Sequence, residues 1–314
     1  MQFLSALLSS MPGAAAQGLI WGVMAIGVYI TYKILDVADL TVDGSLCTGG
    51  AVCVILTLNG CPMPVALIAA VIAGMLAGFV TGIFHTAFGI PAILAGILTQ
   101  LALYSVNLHI MGWGTDNGSK ANLPISVDKY NLLVSSRYVR DIKVDNPIFI
   151  LAIFLIIIIF VLYWFFGTEL GSSLRATGAN GNMARAQGIN TNFTKVLGLM
   201  ISNGLVALSG ALLSQYQGFS DINMGRGAIV IGLAAVIIGE VIFDKIFRNF
   251  GLKLLSCVIG AVIYYVVIQI VLKMGLSTDD LKLLTAVVVA LFLAVPYWKG
   301  KYFNKAKKGV QTNA

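Results

Sequence analysis

The sequence predicts an all-α polytopic membrane protein with about nine (eight to ten) transmembrane helices, arranged as two inverted repeats with broken helices. Three observations predict it. First, of 314 residues 58% are hydrophobic and only 11% charged, against ~25% charged in a soluble domain. Mean hydropathy is +0.91. Second, the charges are confined. No Asp, Glu, Lys or Arg occurs in 1–32 or 44–115, and further charge-free runs cover 146–168, 196–220, 254–272 and 283–298. A span needs ~20 apolar residues, and backbone polar groups in lipid must pair internally, so these runs read as helices. Third, Asp39-Leu-Thr-Val-Asp-Gly-Ser in the first half and Asp221-Ile-Asn-Met-Gly-Arg-Gly in the second each place an acid and a glycine before an apolar run.

Charge-free length and breakers such as Asn59-Gly60-Cys61-Pro62 and Gly89-Ile90-Pro91 set the spans. They fall near 14–34, 45–59, 63–85, 90–112, 147–167, 196–217, 225–243, 252–273 and 281–298. The second is short for a crossing and reads as broken or tilted, and residues 1–10 read as interfacial. Gly74, Gly78 and Gly82 recur every four residues, the spacing that lets membrane helices approach closely. Between two of the spans lies a polar, glycine-punctuated island, 168–195.

The tail 299–314 holds five lysines and no acid, which marks it as a basic cytoplasmic tail. Counting back puts 277–282 outside, 243–253 inside and 218–224 outside. The island 168–195 then lies inside, with three basic residues against one acid. The loop 113–146 lies outside, with five basic and four acidic residues, and the N-terminus is outside too. The first copy of the Asp-Gly entry starts inside and the second outside, as an inverted repeat requires.

The net charge of +7 thus reflects membrane orientation and not nucleic acid. Cys47, Cys53, Cys61 and Cys257 lie in or beside apolar spans without metal-ligand spacing and read as small core residues. The N-terminus has small residues like a signal peptide but no basic n-region, its first basic residue being Lys33, so no cleaved signal is expected. There is no phosphate-binding G-x-x-x-x-G-K-[ST], no H-E-x-x-H and no C-x-x-C. The two histidines, His85 and His109, fall at helix ends. A membrane-embedded enzyme has no paired catalytic groups to use.

Polar residues inside spans mark transport paths or interhelical hydrogen bonds. Here they are Gln100, Asn107, Asn203, Ser209, Ser214 and Gln215. Asp39 and Asp43 stand at the mouth of an apolar run. Asp43-Gly44-Ser45 reads either as an N-cap for the following helix or as a loop lining a path. The candidate translocation residues are Asp39, Asp43, Ser45, Asn203 and Gln215.

In the island a short helix is expected over about 181–187, stopped by Gly188. It suits either an amphipathic connector or a helix that docks in a partner's groove.

The segment GTELGSSLRATGANGNMARAQGINTNFTKVLGLMISNGLVALSGALLSQYQG resembles the signature region of ABC importer permeases of the branched-chain amino acid and ribose type. In that family a pattern "G…L…R A x G x N…A A…G I" precedes a helix "S…L A…A G". The likeness spans roughly 15–298 and leans toward permeases paired with tryptophan/tyrosine-type binding lipoproteins. It implies a single permease domain over 1–314, working as a homo- or heterodimer by alternating access in the bacterial cytoplasmic membrane. It implies two cytosolic ATPases that hold the ATP and Mg, with no cofactor in this chain, and an extracytoplasmic binding protein docked on 113–146. Gly181, Asn182, Met183, Ala184, Arg185, Ala186, Gln187, Gly188 and Ile189 would form the ATPase-coupling segment. Ala184, Ala186, Gly188 and Ile189 match its register. Asn182-Met183 stand where many members carry an acid. The solute implied is an amino acid, and the likeness to the tryptophan/tyrosine-type subfamily implies an aromatic one. The runner-up is a secondary carrier of the drug/metabolite class, which would have only a short loop at 168–195.

Overall fold

The computed structural model describes residues 2–114, 118–126, 129–130, 132–139, 146–243, 246–247, 249–273 and 281–298. The basic tail 299–314 and parts of the 113–146 loop fall outside the described residues. In chain order the helices are α1 (Gln2–Tyr29), α2 (Val42–Leu58), α3 (Met63–Thr86), α4 (Ala92–Met111), α5 (Pro147–Gly167), α6 (Glu169–Ala179), α7 (Gly181–Ala186), α8 (Thr191–Gln217), α9 (Ala228–Phe243), α10 (Phe250–Lys273) and α11 (Leu281–Trp298). A two-stranded antiparallel ribbon, β1 (Asn122–Pro124) with β2 (Phe219–Asp221), pins the long loop to the α8–α9 link.

Six of these stretches are long and apolar enough to cross a membrane, and α2 and α9 are shorter apolar helices. The chain is a multi-pass membrane protein. Three boundaries differ from expectation. α1 is helical from Gln2 rather than from residue 14, and it ends in a π-helical turn, Ile30–Ile34. The island holds two helices, not one, because α6 precedes α7. α8 begins at Thr191, capped by the Asn190 side chain on Phe193 N at 3.2 Å.

α1 and α8 are the most enclosed of the long helices, and α4 and α5 are the least. Small residues set the closest approaches. A Cβ on Gly74 would strike the Asn203 carbonyl and one on Gly78 the Leu199 carbonyl, so the glycine stripe of α3 lies directly on α8. Gly18 and Gly22 put α1 on α10 in the same way, against Val262 and Val258. Contact without Cβ atoms gives close backbone packing, the attraction available to helices already in lipid.

Several helix contacts, though not that of α3 with α4, recur under an exchange of α1 with α8, α2 with α9, α3 with α10 and α4 with α11. α1 packs on α10 as α8 packs on α3, α2 on α3 as α9 on α10, and α2 on α4 as α9 on α11. Three pairs of helix contacts thus recur between the two halves.

Candidate functional site

The two short helices begin where they meet. Ser45, in the first turn of α2, donates to Asn203 Oδ1 at 2.6 Å. Asn203 stands ~18 Å along α8 from its start at Thr191. In an α8 of ~40 Å this places the N-terminus of α2 near the middle of a ~30 Å hydrocarbon layer. The Asp43 carboxylate accepts from Gly227 N at 2.9 Å and from Ile229 N at 3.0 Å, so α9 starts at the same depth. Asp43 therefore caps α9, a helix far away in sequence, and not its own α2. The α2 entry is held by Asp39, whose Oδ1 accepts from Thr41 N at 2.9 Å.

Non-helical backbone at membrane depth survives only where protein satisfies it. The segment between the π turn and α2 is wired accordingly. Asp39 Oδ2 accepts from Asn203 Nδ2 at 2.7 Å. Thr41 Oγ1 lies 2.7 Å from Thr81 Oγ1, which donates to Thr99 Oγ1 at 2.9 Å. Asp39, Ser45 and Asn203 are fully buried and form one network between α2 and α8. Gln215 is also buried. Its Oε1 accepts from Leu133 N at 3.1 Å and its Nε2 lies 3.5 Å from Cys53 Sγ, so it fastens the long loop to α2 and α8. Of the five candidate path residues, Asp43 lines an open cleft.

That cavity is a cleft of about 290 Å3 on the α4 side of the junction, lined among others by Asp43, Cys47, Gln100, Tyr104, Asn107 and Arg226. Arg226 directly precedes the Gly227 whose amide binds Asp43. It is exposed and has no ion-pair partner among the described residues. Asn107 is 1% exposed, yet its Oδ1 has no hydrogen-bond partner among the described residues, while its Nδ2 makes a long 3.4 Å contact to Gly44 O. Gln100 and Asn107 stand out in the sequence as polar residues in a span. Tyr104 and Arg226 do not, since a tyrosine is unremarkable in an apolar helix and an arginine between two glycines reads as a turn.

The island is built by caps. The Thr168 side chain accepts from Gly171 N to start α6, and Asn180 Oδ1 accepts from Asn182 N and Met183 N, both at 3.1 Å, to start α7. Gly188, at φ +84°, ends the turn in the left-handed region that suits glycine. Gly181, Asn182, Met183, Ala184, Arg185 and Ala186 form α7, followed by Gln187, Gly188 and Ile189. Ala184 points inward at 3% exposed, whereas Met183 is 63% exposed. Arg185 Nε donates to Thr191 Oγ1 at 2.7 Å, fixing α7 to the start of α8. α6 is joined to α8 through Thr177 and Thr194, 2.9 Å apart. Gly178 of α6 meets the Ile34 carbonyl so closely that a Cβ would collide with it. The island thus touches the π turn that leads to Asp39 and the central cleft.

Residues 10–296 match the family described as the branched-chain amino acid transport system permease component. The chain is 41% identical over 287 residues to a tyrosine transport system permease protein of Clostridioides difficile (strain R20291), covering 91% of each. It is 25% identical to the ribose import permease protein RbsC of Escherichia coli (strain K12), over 87% of this chain and 81% of the relative. Its fold resembles a chain in the structure of PsaBC from Streptococcus pneumoniae in complex with Fab. There the TM-score is 0.52 at 15% identity, with 97% of this chain and 99% of the other covered.

Proposed function

The chain belongs to the branched-chain amino acid transport system permease family, and from that premise we propose that it is the membrane-spanning subunit of a bacterial ABC importer for an amino acid, aromatic in side chain. The observation that carries this is the 41% identity, over nine-tenths of both chains, to a tyrosine transport system permease protein. The subunit sits in the cytoplasmic membrane as nine crossings in two inverted repeats. α6 and α7 lie in the cytoplasm, and 113–146 faces a binding lipoprotein on the other side. Two copies, or this chain and a homologue, assemble with two ATPases that hold ATP and Mg.

The exposed face of α7, centred on Met183 and Ala186, seats in a groove of the ATPase. ATPase closure displaces α7, and α6 moves with it. Gly178 presses on Ile34, and the wired segment through Asp39 shifts the start of α2. Asp43 then moves against the start of α9, and the path beside α4 alternates between the two sides. A secondary carrier needs none of these island contacts.

The test is co-purification of the chain with its ATPase. The double variant Met183→Asp, Ala186→Asp changes two exposed residues and is expected to abolish association without altering the melting temperature. Undiminished association would remove α7 from the docking role.

A further inference from the structure

We infer that the cleft beside Asp43 is a recognition site for the zwitterionic head of a free amino acid, with Arg226 taking the carboxylate and Asn107 Oδ1 together with Asp43 taking the ammonium. This deepens the amino acid reading above and rests on it. The argument starts from groups without partners. A buried amide oxygen left unpaired costs ~1–3 kcal/mol, and Asn107 Oδ1 is such an atom, on a side chain that lines the cleft. It can only accept, so what it awaits carries N–H or O–H. Arg226 is the opposite case, five donors and a fixed positive charge on the same cleft, with no ion-pair partner among the described residues. A guanidinium at membrane depth points to a water-filled path or a ligand, and its fork matches a carboxylate in a bidentate pair.

Asp43 completes the set. Two of its carboxylate lone pairs are taken by Gly227 N and Ile229 N, out of about four, which leaves acceptor sites for an ammonium. The N-termini of α2 and α9 converge here and add positive potential on the carboxylate side. A ligand with one charge would leave either Asp43 or Arg226 facing it unpaired. A zwitterion satisfies both. The remaining wall is Tyr104, exposed on α4, which offers a ring to an apolar or aromatic side chain. At about 290 Å3 the cleft sits at the small end of the ~300–1,000 Å3 range of small-molecule sites, the size of a single amino acid.

The experiment is saturation-transfer difference NMR on the full chain in lipid nanodiscs, with millimolar L-tyrosine, tyramine (no carboxylate), 3-(4-hydroxyphenyl)propionate (no ammonium) and D-ribose as probes. Wild type is expected to give a signal for L-tyrosine at least tenfold above the other three. Arg226→Gln is expected to erase the preference for tyrosine over tyramine, and Asn107→Leu the preference over the propionate. Arg226→Lys keeps the charge and should keep the first preference, which separates recognition from misfolding. Melting temperature and ATPase co-purification are read on the same samples. Tyrosine binding unchanged in both Arg226→Gln and Asn107→Leu would overturn the site. A larger signal from ribose, or none from any probe, would overturn zwitterion recognition. ATPase association retained in those cases would leave the importer reading standing, and ATPase association absent in wild type would sink that reading instead.

Discussion

Gly178 in α6 rests against the Ile34 carbonyl in the π turn, with no space for a Cβ between them. This contact joins the 168–195 island to the backbone that leads from the π turn to Asp39 and the start of α2. Gly178→Val inserts three carbons there, an overpacking that costs ~1–3 kcal/mol. The expected result is ATPase association as in wild type but uptake reduced at least tenfold, read by co-purification and transport on the same preparation. Normal uptake would remove α6 from the transmission route.

The buried network on Asn203 predicts a stability effect. Asn203→Ala strips Asp39 Oδ2 and Ser45 Oγ of their 2.7 Å and 2.6 Å partners and should cost ~1–3 kcal/mol for each group left unsatisfied. Thermal unfolding in detergent should show a lower midpoint. Adding Asp39→Ala to Asn203→Ala should recover part of the loss, since residues sharing one network are non-additive. Strictly additive losses would break the network reading.

Lys33 Nζ and Glu240 Oε2 are 3.0 Å apart, with 48% and 28% of their side chains exposed. Such a pair contributes ~0–1 kcal/mol and is screened by salt. Lys33→Gln should shift the unfolding midpoint little, and less still at high ionic strength. The exchange Lys33→Glu with Glu240→Lys should restore wild-type behaviour. A large, salt-independent loss in the single variant would contradict a half-exposed pair.

The α3–α8 seam predicts sensitivity to volume. Gly78→Leu places a side chain against the Leu199 carbonyl and the Met200 Cα, forcing the two helices apart. Its expected outcome is loss of membrane-inserted protein, checked by fractionation. Gly60→Ala, where a Cβ meets nothing within 4 Å, strains only a positive φ and should accumulate normally.

Much of this was legible in the sequence because lipid makes helix length a composition signal. α3, α5 and α10 are continuous apolar runs, and their observed ends fall within two residues of the expected ones. α6 was not legible. Its own residues, with Gly171 and Gly178 among them, favour helix weakly, and it is held by Leu174 in the core and Thr177 on Thr194. The same holds at the cleft. Asp43 was marked by its charge, but its partners Gly227 and Ile229 lie in the other half of the chain, and local pattern carries no information on them. The unpaired state of Asn107 Oδ1 and the open face of Arg226 are properties of the packing of α4 beside α9's entry.

The most direct measurement is uptake of labelled L-tyrosine into proteoliposomes holding the chain, its ATPase and its binding protein. Accumulation should require ATP and all three components, and should vanish with Met183→Asp, Ala186→Asp. Uptake driven by an ion gradient in vesicles of the chain alone would contradict the account and make the protein a secondary carrier.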